Sequence, residues 1–391
     1  MDTAGRRAHL EAFFATALAA IDPKRLTTAA LQAHELGPVT IVAIGKAAPA
    51  MARGAAAALG DVNGICVTSH ESDVPDGIEL MIGDHPIPGE RSYVAGRRVL
   101  EVIADSDSRI VALISGGGSS LCESPRQGVP PELVTAVARR LVDSGASIAE
   151  MNLVRRHLSA IKGGGLLAVS SQPIDTYAIS DVCAASPEVI ASGPTIAQDL
   201  DIDAALAVMT RLGIDVTPEV MLAMAAPPPS GDNSGDVVVI ADGRTAARAV
   251  VGAATEAGIP AEMADDWLSG PVDDTLDWFM EGATVLRVAA GEPEVGVSGE
   301  GLGGRNTHAA LLAAGRITGT ASLFAALATD GVDGSSGSAG AIVDGGTLMR
   351  GGDPSESLAE SDSARYLTST GDLVITGPTG TNVADLWMFW P

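Results

Sequence analysis

The residues best suited to handling an anion fall in a few glycine-rich stretches. In ISGGGSSL, residues 114–121, the apolar run RIVAL leads into Ser115, Gly116, Gly117, Gly118, Ser119 and Ser120. Consecutive glycines let the backbone turn its amides inward as an anion nest, and the serines add hydroxyl donors. Lys46 stands beside Gly45 in IGKAAP and shares the chain's whole lysine complement with Lys24 and Lys162. Lysine used so sparingly, and twice beside glycine, reads as a placed point charge. MNLVRRHLSAIKGGG, residues 151–165, predicts a helix stopped by glycine, whose spacing puts Asn152, Arg155, Ser159 and Lys162 on one face. Arg305 opens the helical stretch after Gly304 and precedes Asn306, where it would donate to an anion at the helix N-terminus. Asp330 and Asp333 follow the apolar run SLFAALA in a glycine loop. Hard carboxylates of this kind hold Mg²⁺ with phosphate oxygens, and they are also routine turn formers. Asp181 ends the run TYAISD, where it can accept a hydroxyl proton.

Other signatures are weaker. Ser159 and Lys162 match the acyl-transfer pattern SxxK, but no KTG accompanies it. GEGLGG, residues 299–304, satisfies GxGxxG, yet no β-branched strand runs into it as a dinucleotide fingerprint requires. Lys46 is followed by Ala47, so IGKAAP is not a P-loop. Cys66, Cys122 and Cys183 lack metal or redox spacing and suit a reducing cytoplasm. The formal net charge of −25 repels nucleic acid and anionic membrane surfaces, and no apolar run has the length of a membrane span. The expected partners are small molecules.

The elements that must position these residues are those of an α/β protein. The chain has 391 residues, enough for two or three domains. Phe, Tyr and Trp make up only 3%, so aliphatic side chains must fill most of the interior. Leu10, Phe13, Phe14, Ala17, Leu18 and Ile21 mark one face of an N-terminal helix. From VTIVAIG at residues 39–45, β-rich runs alternate with helical patterns, which indicates layering around a largely parallel sheet. AAPPPSGDNSGD, residues 225–236, interrupts the series and sets domains at 1–232 and 233–391. DVVVIADG then starts a second series through ATVLRVAAG and SLFAALATDG to LVITGPTG. Ligands of such sheets bind beyond the carboxyl ends of the strands, where the polar loops fall.

In their order, IGKAAPAM, GDHPIP, LISGGGSSL, NLVRRHLSAIKGGGLLA, ISDVCAASPEVIASGPT, GLGGRN, ATDGVDGSSGSAGAIVD and TGPTGTNVADL closely resemble the glycerate 2-kinase family of the type with a C-terminal MOFRL domain. The match runs from about residue 38 to 387. The resemblance implies ATP-dependent, Mg²⁺-requiring phosphorylation of D-glycerate to 2-phosphoglycerate. It also implies a Rossmann-like three-layer domain with a mainly parallel sheet, a smaller C-terminal α/β domain, and an active site in the cleft between them. Lys46, Asp181 and Arg305 become the catalytic residues. Gly45, Ser115, Gly116, Gly117, Gly118, Ser119, Ser120, Arg155, Lys162, Gly304, Asn306, Thr376, Gly377, Thr379, Gly380 and Asn382 become substrate and nucleotide contacts, with Asp330 and Asp333 near Mg²⁺.

The chain departs from the family pattern at Thr307 and His308, where GGRNQE is common, and at CAAS after Asp181. Alternatives are a kinase of a related small hydroxy acid, an NAD(P)H-dependent hydroxypyruvate reductase, and a non-catalytic nucleotide or hydroxy-acid sensor. A homodimer stays open.

Overall fold

The computed structural model describes residues 2–182, 187–199, 201–226, 231 and 233–391. Cys183 therefore lies outside the described residues. The first sheet contains β1 (Val39–Ile44), β2 (Asn63–Thr68), β3 (Ile78–Ile82), β4 (Arg109–Ile114), β5 (Ile174–Ile179) and β6 (Ser234–Ala241), in the order β3-β2-β1-β4-β5-β6. Strands β1 to β5 pair in parallel, with Ile44 of β1 opposite Val67 of β2 and Ile114 of β4. β1 and β5 are buried along their whole length, as expected of strands covered on both faces. Their apolar runs leave little for water, so helices must pack above and below. Helices Ala48–Leu59 and Glu90–Ala104 follow β1 and β3 and bury Met51, Ala52, Ala55, Val99 and Ile103.

The order of this sheet reverses at β1, whose two neighbours continue the chain in opposite directions. Such a reversal leaves a crevice beyond the strand ends, the usual ligand position in open α/β sheets. β1 delivers Gly45 and Lys46 there, and β4 delivers Ser115 to Ser120.

β6 differs from the sequence expectation. DVVVIA reads as the opening of the second series, but it completes the edge of the first sheet. Val237 and Val238 remain over a third exposed, the half-covered condition of an edge strand. The amide of Asp236 donates to Asp175 Oδ1 of β5 at 3.0 Å.

The second sheet contains β7 (Ala261–Met263), β8 (Leu286–Gly291), β9 (Leu323–Ala328), β10 (Gly340–Asp344), β11 (Leu373–Val374) and β12 (Asp385–Trp390), in the order β11-β10-β9-β12-β8-β7. Only β7 and β8 pair in parallel among its registered pairs. The mainly parallel expectation concerns the first sheet and holds there; in the second, β9 and β10 form a hairpin and β12 returns antiparallel between β9 and β8. DLWMFW, the sequence of β12, carries no turn or helix pattern that would have marked it. Trp387 is wholly buried and stacks edge-on with Phe279 and Phe324, at centroid distances of 5.8 and 5.4 Å. Three of the scarce aromatics thus meet at one core position.

The chain divides into two compact units. The first-sheet unit comprises residues 23–180 and 185–240, and the second-sheet unit comprises 1–22, 181–184 and 241–391. The N-terminal helix Thr3–Ala20 belongs to the second and buries Leu10, Phe13, Phe14 and Ala17, as its pattern predicts. Arg7 fixes it there by donating to Ile342 O at 2.7 Å and Asp372 Oδ1 at 3.1 Å. No described helix is long and apolar enough to cross a membrane.

Truncation of Trp387 to alanine removes the centre of the aromatic cluster. The expected loss is about 3–5 kcal/mol of unfolding free energy, read as a lowered urea midpoint. An unchanged midpoint would show that the cluster does not anchor the second sheet.

Candidate active site

Close contact between two strand ends builds the first-sheet site. Gly45 has φ 130°, and a Cβ there would lie 2.2 Å from Ser115 Oγ and 2.5 Å from Ser115 O. Only glycine allows this approach. Ser115 N donates to Ile44 O at 2.9 Å, Lys46 N donates to Gly116 O at 2.9 Å, and Ala47 N donates to Ser115 Oγ at 3.1 Å. Gly117 is left-handed at φ 82°, and a Cβ there would meet Lys46 Cγ at 3.2 Å and His85 Cδ2 at 3.4 Å. Lys46 and His85 therefore flank the same glycine.

Electrostatics single out this region. Loss of hydration, followed by the positive charges of Lys46 and Arg155, lowers the His85 pKa to about 4. His85 is neutral at pH 7, while Lys46 and Arg155 act on it as cations. Neither cation has a hydrogen-bond or ion-pair partner among the described residues. Burial draws the Arg155 guanidinium down, and the charge of Glu123 draws it back up. In a chain of net charge −25, two cations without partners among the described residues beside an amide-rich loop are suited to an anion.

The loop is braced from behind. Ser119 Oγ and Ser192 Oγ lie 2.9 Å apart, and Ser192 Oγ donates to Asn152 Oδ1 at 2.6 Å. Ser192 and its neighbour Ala191 have φ 65° and 50°, conformations that cost non-glycine residues about 1–3 kcal/mol each. Ser120 Oγ donates back to Gly117 O at 3.2 Å.

The expected four-residue polar helix face exists only in part. Helix Ile148–Leu158, started by a Ser147/Glu150 capping box, carries Asn152 and Arg155 and stops at Ser159. Ser159 is extended and bridges Pro125 in antiparallel fashion, while Ala160 N donates to Ser124 O at 2.7 Å. This pairing takes the backbone groups that another helical turn would need. Ser159 and Lys162 instead turn onto Glu123: Ser159 Oγ donates to Oε1 at 2.5 Å, and the Lys162 ammonium pairs with Oε2. All three residues are buried. Lys162 is thus a buried counterion, and its ammonium points at Glu123.

The second-sheet unit gathers the remaining motifs. Arg305 begins helix Arg305–Ile317. Its Nε donates to Asp385 Oδ2 at 2.5 Å, Nη2 to Asp385 Oδ1 at 3.2 Å, and Nη1 to Glu292 Oε1 at 2.6 Å. Burial pulls this guanidinium down, but the charges and hydrogen bonds of Asp385 and Glu292 outweigh it and keep it protonated. Complete burial raises Asp385 to about 6, against the opposing charge of Arg305.

Asp333 is buried and accepts the amides of Asn306 at 2.9 Å and Thr307 at 2.8 Å. Burial raises its pKa, while those amides pull it down. It caps the helix whose N-terminus the sequence offers to an external anion. Gly304 makes this possible, since a Cβ there would lie 2.3 Å from Asp333 Oδ1.

Asp330 Oδ1 accepts Val332 N at 3.0 Å, and its carbonyl accepts Thr379 N at 3.1 Å. Thr379 Oγ1 donates to Thr329 O at 2.6 Å, and Thr376 Oγ1 to Gly377 O at 2.8 Å. Gly377 and Gly380 are left-handed at φ 68° and 76°. Asn382 Nδ2 donates to Asp181 Oδ2 at 3.2 Å, which joins Asp181 to the same loops. A cavity of about 400 Å³ opens beside Arg305, lined in part by the 301–304 loop, the start of helix Arg305–Ile317 and the 332–335 loop. No group of three or more His, Cys, Asp or Glu side chains among the described residues could hold a metal.

Lys46, Arg155 and the 115–120 loop thus share one unit, while Asp181, Arg305, Asp330, Thr379 and Asn382 share the other. Sequence reasoning missed His85, Glu123, Glu292 and Asp385. Only His85 had a local signal, the HP step in GDHPIP. The acids around Arg305 become visible as partners only once the strands are paired.

The fold is that of a two-unit α/β protein, with a mainly parallel first sheet and a mixed second sheet. Residues 9–225 match the family described as Domain of unknown function (DUF4147), and residues 285–385 match the MOFRL family. The chain is 34% identical to the D-glycerate 2-kinase of Thermotoga maritima, over 94% of this chain and 94% of that one. A relative from Agrobacterium vitis, 38% identical over 96% of this chain and 92% of its own, carries the provisional name hydroxypyruvate reductase. The crystal structure of a glycerate kinase from Thermotoga maritima superposes with a TM-score of 0.90 at 33% identity, covering 99% of each chain. The chain belongs to the glycerate 2-kinase family, with a DUF4147 region followed by a MOFRL region.

Asp385 binds its proton more tightly folded than unfolded. Its contribution to stability is therefore present below pH about 4 and is lost as pH rises through its folded pKa of about 6. Relative to Asp385→Asn, the native chain is expected to lose up to about 3 kcal/mol between those values, measured by urea unfolding at each pH. Parallel stability curves for the two proteins would contradict it.

Proposed function

We propose that this protein transfers the γ-phosphoryl group of ATP to the 2-hydroxyl of D-glycerate, giving 2-phosphoglycerate and ADP. The observation that carries the reading is the pair Lys46 and Arg155, both without a side-chain partner among the described residues and both acting on His85 beside the Lys46 loop. Glycerate and the transferring phosphoryl group are both anionic. Phosphoryl transfer depends on positioning and charge neutralisation, with little covalent chemistry for the protein to do.

In this mechanism the Lys46 ammonium neutralises the transferring group, and Arg155 grips the carboxylate. Amides and hydroxyls of residues 115–120 hold remaining anionic oxygens. Asp181 orients the substrate hydroxyl and accepts its proton, with its own carboxylate steadied by Asn382. The carboxylates of Glu292 and Asp385 fix the Arg305 fork. A guanidinium has more N–H donors than these bonds use, so each terminal nitrogen of Arg305 keeps one for a phosphoryl oxygen.

Mg²⁺ is held in kinases chiefly by phosphate oxygens and one or two carboxylates, and it supplies charge neutralisation there. Both oxygens of Asp333 are taken by helix amides, whereas among the described residues Asp330 engages Oδ1 alone, in its turn. Asp330 is therefore the carboxylate that fits a metal arriving with the nucleotide, and Asp333 is a helix cap. The buried free thiols Cys66 and Cys122 suit a reducing cytoplasm, where we place the enzyme.

A coupled ADP-release assay with Mg²⁺-ATP and D-glycerate tests the reading, with phosphorus NMR of the product. Lys46→Ala is expected to lower kcat by about 10²–10³-fold, in the range found for removal of a transition-state donor. Arg155→Ala is expected to act mainly on the KM for glycerate. Near-native turnover by Lys46→Ala would remove the proposed mechanism. NADH oxidation with hydroxypyruvate, in place of ADP release, would replace a kinase with a reductase.

A further inference from the structure

His85 flanks Gly117 at the first-sheet site, yet phosphoryl transfer as assigned needs nothing from it. It lies in the loop that follows β3, is exposed, and has no hydrogen-bond partner for either ring nitrogen among the described residues. Its place is nevertheless fixed. A Cβ on Gly117 would meet His85 Cδ2 at 3.4 Å, His85 Nε2 at 3.5 Å and Lys46 Cγ at 3.2 Å. The Nε2 edge of the ring and the Lys46 stem therefore border one space, the space that a side chain at residue 117 would fill.

The loop that carries the ring is braced at residues 83 and 84. Gly83 packs against the end of the short helix Gly118–Leu121, where a Cβ would lie 2.1 Å from Leu121 O, and its amide donates to Thr68 O at 2.9 Å. Asp84 accepts Arg91 N at 3.0 Å and Arg91 Nε at 2.7 Å, and its own amide donates to Ser92 Oγ at 2.8 Å. Those bonds commit the neighbouring carboxylate to the start of helix Glu90–Ala104. The charges that act on His85 are the two cations Lys46 and Arg155, so the ring is neutral at pH 7.

A neutral imidazole offers one donor and one acceptor, and a hydroxyl pairs with either. Anionic oxygens gain more from the ammonium and the guanidinium, because hydrogen bonds between ionised groups are about twice as strong as neutral ones. The ring is left with the uncharged part of the ligand. Beyond its carboxylate and its reacting 2-hydroxyl, D-glycerate has one polar group, the hydroxyl on C3.

We propose that His85 is a specificity-determining residue that binds the 3-hydroxyl of the substrate and so selects dihydroxy over monohydroxy acids. The inference deepens the kinase reading and rests on it for the identity of the acid. Because the ring is open to water, which replaces a missing hydroxyl, the selection amounts to a single net hydrogen bond.

Calorimetric titration of the full chain with D-glycerate and with D-lactate, its 3-deoxy analogue, tests the assignment. The native chain is expected to bind D-glycerate about threefold to tenfold more tightly than D-lactate. His85→Ala is expected to weaken D-glycerate by about the same factor and to move D-lactate by less than about twofold, so that the preference disappears. His85→Asn, whose amide also donates and accepts, is expected to restore part of it. An equal loss for both acids would make the ring a support of the loop and overturn the proposal. So would a preference that survives His85→Ala, or a native chain that does not distinguish the two acids. Failure of the kinase reading looks different: the native chain would keep the His85-dependent preference and release no ADP from Mg²⁺-ATP with D-glycerate.

Discussion

The first-sheet site depends on the contact between the ends of β1 and β4. Gly45 lies so close to Ser115 that no side chain fits between them, and reciprocal backbone bonds tie Ile44, Lys46, Ser115 and Gly116 into one piece. This contact sets the direction of the Lys46 side chain and the curvature of the 115–120 loop together. Lys46 has no carboxylate partner among the described residues. The ends of parallel strands present amides and helix starts, which favour anions, so a cation there waits for a ligand. His85 registers that field through its depressed pKa.

The second-sheet unit solves a different electrostatic problem. Its Arg305 is held by two acids, and its helix N-terminus is already capped by Asp333. Both features trade raw anion affinity for fixed geometry. A forked guanidinium anchored on one side can present its remaining donors without the entropy loss of a free side chain. The unit that orients therefore differs from the unit that attracts. Within the first-sheet unit, the buried Ser159–Glu123–Lys162 group bears on Arg155, because Glu123 lends it charge from a position sealed away from solvent.

Much of this was legible in the sequence because it is local. Glycine triplets after apolar runs, an apolar strand ending in Gly45-Lys46, and the amphipathic N-terminal helix each follow from short-range pattern and were found where expected. What escaped needed pairing partners. β12 sits at the centre of its sheet, yet DLWMFW has no alternation to mark it as a strand. β6 seemed to begin a series because nothing local reveals which sheet accepts an edge. The helix through Lys162 broke at Ser159 because residues 124–126 compete for its backbone, a contact invisible from spacing alone. Asp333 looked like a metal ligand by composition, and the structure spends it on a helix that begins 28 residues earlier in the chain.

The central claim is that an anion lodges between Lys46 and Arg155. The most direct measurement is an NMR pH titration of the His85 ring, with and without D-glycerate. The ring should titrate near pH 4 in the free protein and move upward when a bound carboxylate offsets the two cations. A His85 pKa that stays in place while D-glycerate saturates the protein would show that the anion binds elsewhere.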